Sequence, residues 1–234
     1  MKTKITKLSV LALAALSAAA FAADAITLTR KPKEGETTKY RMKAELELGG
    51  MPITFNGLLS EKVLKVEPNG AYSLETAQIE GKVSINGQEQ DVPGTGSSTI
   101  NYKGNGDVVE IKGDQVTPEA YRMANLGVVA DPGKPINVGD TWSHEIKADK
   151  KTGALGVKAD YKFLGEEKVG DVDTLKIKVN VKETEGSDPA SADGTVWLNK
   201  ADGMLIKMNS KWVNAPYPGA GMPVTATITL VREK

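Results

Sequence analysis

The residues able to do chemistry are few and scattered. His144 is the only histidine and there is no cysteine, which excludes thiol catalysis, cysteine–metal sites, iron–sulfur clusters and metal sites built from several histidines. A lone histidine acts as a general base only with an acid to orient it and a nucleophile in reach. No G-x-S-x-G, H-E-x-x-H or S-x-x-K context supplies those partners. His144 shares strand parity with Trp142 and Ile146, so a structural, hydrogen-bonded place at the edge of the core is expected for it. The acids fall in three groups. Glu45 and Glu47 share a strand face, Glu166, Glu167, Asp171 and Asp173 surround a turn, and Glu183, Glu185, Asp188 and Asp193 flank a Gly/Ser/Pro/Ala loop. None has the alternating ligands, central glycine and terminal glutamate of a calcium loop, and all are expected on solvated surfaces. The glycine clusters Gly94–Ser98 and Gly104–Gly106 precede strand patterns, whereas a phosphate cradle needs a helix N-terminus behind it. The chain therefore reads as non-enzymatic, with no catalytic residue, metal or cofactor expected.

The methionines point elsewhere. Met42, Met51, Met123, Met204, Met208 and Met222 follow the first residue, and flexible, polarisable methionine suits adaptable binding surfaces as well as plain core filling. Met42, Leu46, Trp142, Ile146, Met204 and Met208 fall on the apolar faces of strand patterns and are the expected ligand-binding residues. The proline-rich stretch Asn214–Pro223, with Tyr217 and Met222, reads either as a stiff lid or partner-binding loop or as a long hairpin connection.

The elements that must position these residues are strands. Tyr40, Met42, Ala44, Leu46 and Leu48 alternate with Arg41, Lys43, Glu45 and Glu47. The same period of two runs through Leu155–Phe163, Leu175–Lys182 and Val224–Leu230. One dry and one wet face per strand indicates antiparallel sheet. Pro68-Asn69-Gly70, Asn86-Gly87, Gly104–Asp107 and Ala201-Asp202-Gly203 supply turns for a meander. One short helix is expected over Ala120–Leu126, with Thr117 as N-cap, Pro118 at the first position and Gly127 as the stop. Gly35-Glu36-Thr37 matches Gly139-Asp140-Thr141, and hairpin Asn101–Lys112 parallels Val196–Lys207, which suggests two similar halves. The expected organisation is 1–22 signal peptide, 23–116 first β half, 117–134 helical connector and 135–234 second β half. The fold class is all-β, an antiparallel curved sheet (half-barrel or open barrel) of about ten strands with one short helix. A β-sandwich is the alternative. A long sheet must cover its dry face, and one short helix is little cover, so an apolar concavity is expected.

The N-terminus sets the compartment. Lys2, Lys4 and Lys7 precede the apolar stretch Leu8–Phe21, and Ala20-Phe21-Ala22 has small residues where a signal peptidase reads them. The apolar run is shorter than the roughly 20 residues that span a bilayer, and no later run is long enough. Cleavage after Ala22 would take three of the 30 basic residues and none of the 30 acidic ones. A net charge near −3 gives no electrostatic reason for nucleic-acid or anionic-membrane binding. Without a cysteine no lipid can be attached at the cleavage site, so a periplasmic or secreted protein with no transmembrane anchor is expected.

The hairpin Gly194-Thr195-Val196-Trp197-Leu198-Asn199-Lys200-Ala201-Asp202-Gly203-Met204-Leu205-Ile206-Lys207 resembles one in LolA/LppX-like periplasmic lipoprotein carriers. Val138–Trp142 resembles a step in exported bacterial β-proteins. The resemblance implies a curved half-barrel that binds acyl chains on its concave side, usually under several helices where this sequence has one. The expected function is thus an exported carrier of a lipid or other apolar ligand. The alternative is an envelope scaffold or interaction module whose partner is another envelope protein.

Overall fold

The computed structural model describes residues 25–234 apart from 49, 95, 114–115 and 218–220. The expected signal peptide and part of the proline-rich loop lie outside the described residues. The strands are β1 (Thr37–Leu48), β2 (Met51–Val66), β3 (Tyr72–Ile85), β4 (Gln88–Pro93), β5 (Ser98–Tyr102) and β6 (Val108–Gly113), followed by helix α1 (Pro118–Leu126). After it come β7 (Thr141–Ile146), β8 (Val157–Val169), β9 (Val172–Glu183), β10 (Ser191–Asn199), β11 (Leu205–Ala215) and β12 (Val224–Arg232). All belong to one antiparallel sheet in the order β6-β5-β3-β2-β1-β12-β11-β10-β9-β8-β7, with β4 beside the outer part of β3. The N-terminal strands form one side, the C-terminal strands the other, and β1 and β12 join them. The sheet is curved and open: β6 and β7 are its two edges and do not pair. A sandwich is excluded, and the strand number is 12 rather than about ten.

Alternation builds the strands. In β8, Val157, Ala159, Tyr161 and Phe163 are buried and Lys158, Asp160, Lys162 and Leu164 are exposed. Hairpin β3–β4 turns on Asn86-Gly87, with φ of 51° and 80°, the pair of left-handed residues that a two-residue turn requires. In β2 the pattern is obscured, because Gly57 and Glu61 occupy the parity of Phe55, Leu59 and Val63.

Helix α1 starts as its residues dictate. The Thr117 hydroxyl accepts from Ala120 N at 3.3 Å and Pro118 stands at the first position. Gly127 closes it with φ −87°, an ordinary helical value rather than the left-handed one common at such stops. An ion pair fixes the helix over the sheet. Arg122 Nε and Nη2 donate to the Glu183 carboxylate at 2.6 and 2.7 Å, and Ala190 N donates to it at 2.7 Å. Glu183 is fully buried, so the expectation of a solvated acid there is corrected: β9 keeps its dry parity from Leu175 to Glu183.

The dry side of the C-terminal strands is covered by the chain itself. Leu126 at the end of the helix, Val128, Val129, Ala130 and Ile136 after it, and Leu28 near the N-terminus join residues of β7–β12 in one core. Ile26 and Ile136 exchange two backbone hydrogen bonds at 2.9 Å. This strap is tied down from below. Tyr161 Oη donates to Val128 O at 2.9 Å and accepts from Ala130 N at 3.2 Å, while Trp142 Nε1 donates to Ala130 O at 3.0 Å. Burial pushes the Tyr161 hydroxyl up to about 12.

Candidate ligand site on the concave face

Residues opposite one another on neighbouring strands share a face. The register therefore extends the concave face from the covered half into β12, β1, β2 and β3. Met208 lies opposite Leu230, which lies opposite Met42, which lies opposite Gly57. One row along, Ile228 faces Ala44, which faces Phe55, and Phe55 faces Val83. Met42, Phe55, Val83, Ile228 and Leu230 are all half-buried, as are Leu46, Ile53 and Leu59 on the same face. This is an apolar trough that the strap and helix leave uncovered. Its floor is shaped by glycine: the Phe55 ring lies over both Gly57 and Gly81, and a Cβ on either would come within 2.6–2.8 Å of it. The ring can lie flat across two strands only because both partners lack a side chain.

At one end the trough runs into a cavity of about 150 Å³. Tyr40, Glu61, Tyr72 and Tyr102 bring its polar groups from β1, β2, β3 and β5, and Met204 and Met208 form its apolar wall. Tyr72 and Tyr102 stack with ring centroids 5.0 Å apart. Arg30 closes the cavity from the N-terminal segment. Its Nη1 donates to Asn105 O at 3.3 Å, its Nη2 donates to Val129 O, and a Cβ on Gly106 would strike the guanidinium at 2.6 Å. Lys31 N to Asp202 O at 2.8 Å, and the Thr29 carbonyl against Gly203, hold that segment onto the β10–β11 turn.

Glu61 is the unusual group. Protein surrounds it on nearly every side, although the open mouth leaves it some water. Burial pushes its carboxyl up from 4.5 to about 7, an effect that the neighbouring Tyr40 hydroxyl and the charge of Arg232 offset only in part. The Tyr40 hydroxyl directs its own hydrogen bond to Leu205 O at 3.1 Å, and Arg232 pairs with Glu36 at 2.9 Å. Burial likewise raises Tyr40, Tyr72 and Tyr102 above the ordinary phenol value. Buried charge is normally paired, and among the described residues Glu61 has no ion-pair partner.

No family model matches this chain, and no curated protein matches it. Solved structures do. An exported protein with a YmcC-like fold from Bacteroides fragilis is 14% identical, with 89% of this chain and 100% of that chain covered at a TM-score of 0.37. The hypothetical lipoprotein YmcC from Escherichia coli is 13% identical, with 88% and 91% covered at 0.33. A domain of an outer membrane lipoprotein-sorting protein from Vibrio parahaemolyticus is 10% identical, with 86% and 85% covered at 0.24. At 14% identity and lower, with TM-scores of 0.37 and lower, the likeness is one of overall fold alone.

The residues expected from sequence to bind ligand divide between the two halves. Met42 and Leu46 lie in the trough, and Met204 and Met208 line the cavity. Trp142 and Ile146 belong to the covered half. Trp142 stacks on Tyr161 at 5.1 Å beneath the strap, and Ile146 packs against the same core. His144 meets Asp107 at 2.5 Å, a structural pairing of the kind expected. Glu61, Arg30 and the three tyrosines were not expected. For Glu61 a signal was available, since it has the parity of Leu59 and Val63 and is thus an acid on a dry face. Arg30 had none, being brought in by a segment with no periodicity.

Proposed function

We propose that this chain is an exported, non-enzymatic carrier, released as a soluble protein by cleavage after Ala22, that holds an apolar molecule such as a lipid chain in the trough. Met42, Leu46, Met204 and Met208 would touch that ligand, with Trp142 and Ile146 supporting the wall behind it. The single observation carrying this reading is the row of half-buried apolar residues along β12, β1, β2 and β3, beside a strap that has already covered the rest of the face. A contiguous apolar surface left open to water marks a binding surface, and flexible methionine adapts to chains of varied shape. The cavity is smaller than the roughly 300–1,000 Å³ of pockets that enclose drug-sized ligands, so the chain would lie in an open groove. Among the described residues no helix is long and apolar enough to cross a membrane.

Native mass spectrometry of the protein purified from its own host tests this. We expect a polypeptide beginning at Ala23 that carries an added mass extractable into organic solvent as lipid. A bare polypeptide mass, unchanged by added fatty acids or phospholipids, would overturn the carrier reading.

A further inference from the structure

The cavity beyond the trough has both signs of charge and a partner for neither. Glu61 lacks a cation among the described residues, and Arg30 is held by two backbone carbonyls rather than by a carboxylate. The cavity is too small for a whole lipid but of a size for a small polar group. The wider depression of about 590 Å³ near the C-terminus offers no such opening, because its cations are already matched: Arg232 with Glu36 and Lys234 with Asp171, each at 2.9 Å.

Resting on the carrier reading, we propose that the Glu61 cavity is a headgroup site for a zwitterionic lipid whose head joins a primary ammonium to a phosphate. The ammonium would sit against Glu61 among the faces and hydroxyls of Tyr40, Tyr72 and Tyr102, and the phosphate against Arg30. Three features favour this head over others. An incoming ammonium gives the enclosed carboxylate the counter-charge it lacks. Aromatic faces attract a cation and tolerate its alkyl part. An anionic head alone would meet Arg30 but set a second negative charge beside Glu61, and a purely cationic head would meet Glu61 but face Arg30. The ester chain would leave past Met208, which lines the cavity and lies opposite Leu230 of the trough, and past Leu59, which lies opposite Tyr40. The groups facing Glu61 from the surrounding elements are Tyr40, Tyr72, Tyr102, Arg30 and Arg232, with Asp202 acting through Tyr40. Among these the carboxyl is the one that titrates near neutrality.

Calorimetry on the mature full chain, with lysophosphatidylethanolamine and lysophosphatidylglycerol of equal chain length below their micellar concentrations, tests the proposal. We expect the ethanolamine lipid to bind at least tenfold more tightly at pH 8, with most of that preference lost at pH 5.5. Glu61→Gln, which keeps shape and loses charge, should abolish the preference by weakening the ethanolamine lipid, while the glycerol lipid, relieved of the charge beside its phosphate, binds as well as before or better. Equal affinity of the two lipids, or an equal loss of both in Glu61→Gln, overturns the headgroup site while chain binding in the trough stands. Binding of neither lipid overturns the carrier reading, and the headgroup site with it. Equally tight binding of chainless phosphoethanolamine would overturn the lipid as ligand in favour of a free zwitterion.

Discussion

Glu61 sits where a sheet would ordinarily place a leucine, and its carboxyl makes the protein's stability depend on pH in an unusual direction. Its folded pKa, about 7, lies above its ordinary value of 4.5. Between those values the folded state binds more protons than the unfolded chain, so stability falls as pH rises through the window and stays low above it. Most carboxylates, being paired, act in the opposite sense. We expect the melting temperature of the apo protein to fall by a few degrees from pH 5 to pH 8, and Glu61→Gln to remove that fall and melt higher than the wild type at pH 8. Thermal unfolding of both proteins across the range checks this, and parallel curves would show that the carboxyl is well solvated. At this scale the sequence was partly legible. Met42 and Leu46 were placed on a dry face by strict alternation in β1, whereas β2 hid its parity because Gly57 and Glu61 interrupt its apolar row.

Helix α1 has nine residues, too few to persist alone in water, so it depends on what it touches. Its N-cap and Pro118 were readable from local chemistry, but its position was not, because that is set by the Arg122–Glu183 pair across 61 residues. The pair is a fork-to-fork contact with one partner fully buried. Removing the cation from such a pair costs about 3–5 kcal/mol, chiefly because a bare charge stays buried. For a chain of this size that corresponds to roughly 6–20 °C in melting temperature. We expect Arg122→Met to show a loss of that order, and the double variant Arg122→Met/Glu183→Leu to recover much of it, leaving only the Ala190 N–H without an acceptor. An undiminished loss in the double variant would mean that the pair positions the helix through geometry that apolar contact cannot replace. Glu183 also shows why acids in strands mislead: read as a loop neighbour it looked solvated, while the count from Leu175 places it on the dry face.

Across the whole molecule, a long curved sheet has to end somewhere, and here its two ends are drawn together without pairing. Asp107, just before edge strand β6, meets His144 on edge strand β7 at 2.5 Å, and Asp131 N from the strap donates to Asn105 O at 3.1 Å. The strap and the N-terminal segment fill the space between, and this filling was the feature least legible in sequence. Segments 25–31 and 127–136 carry no periodicity, and their partners lie far away along the chain. The single open sheet itself followed from alternation and turn chemistry. A seam closed by side chains rather than a ladder should open more easily than the sheet centre. Burial raises the Asp107 carboxyl, but hydrogen bonds from Asn105 and His144 and the charges of His144 and Lys103 outweigh it, so its pKa lies below the ordinary 3.8. The stability it contributes is therefore complete above that value and is lost as pH falls through the lower folded pKa. A hydrogen bond to a charged group contributes about 1.5–3 kcal/mol. We expect His144→Ala at neutral pH to speed amide exchange in β6 and β7 by about tenfold or more, since 1.4 kcal/mol is a factor of ten, with β9 and β10 unchanged. Acceleration spread evenly over the sheet would instead make the pair part of the global core. No acceleration at all would show that the strap alone holds the two edges together.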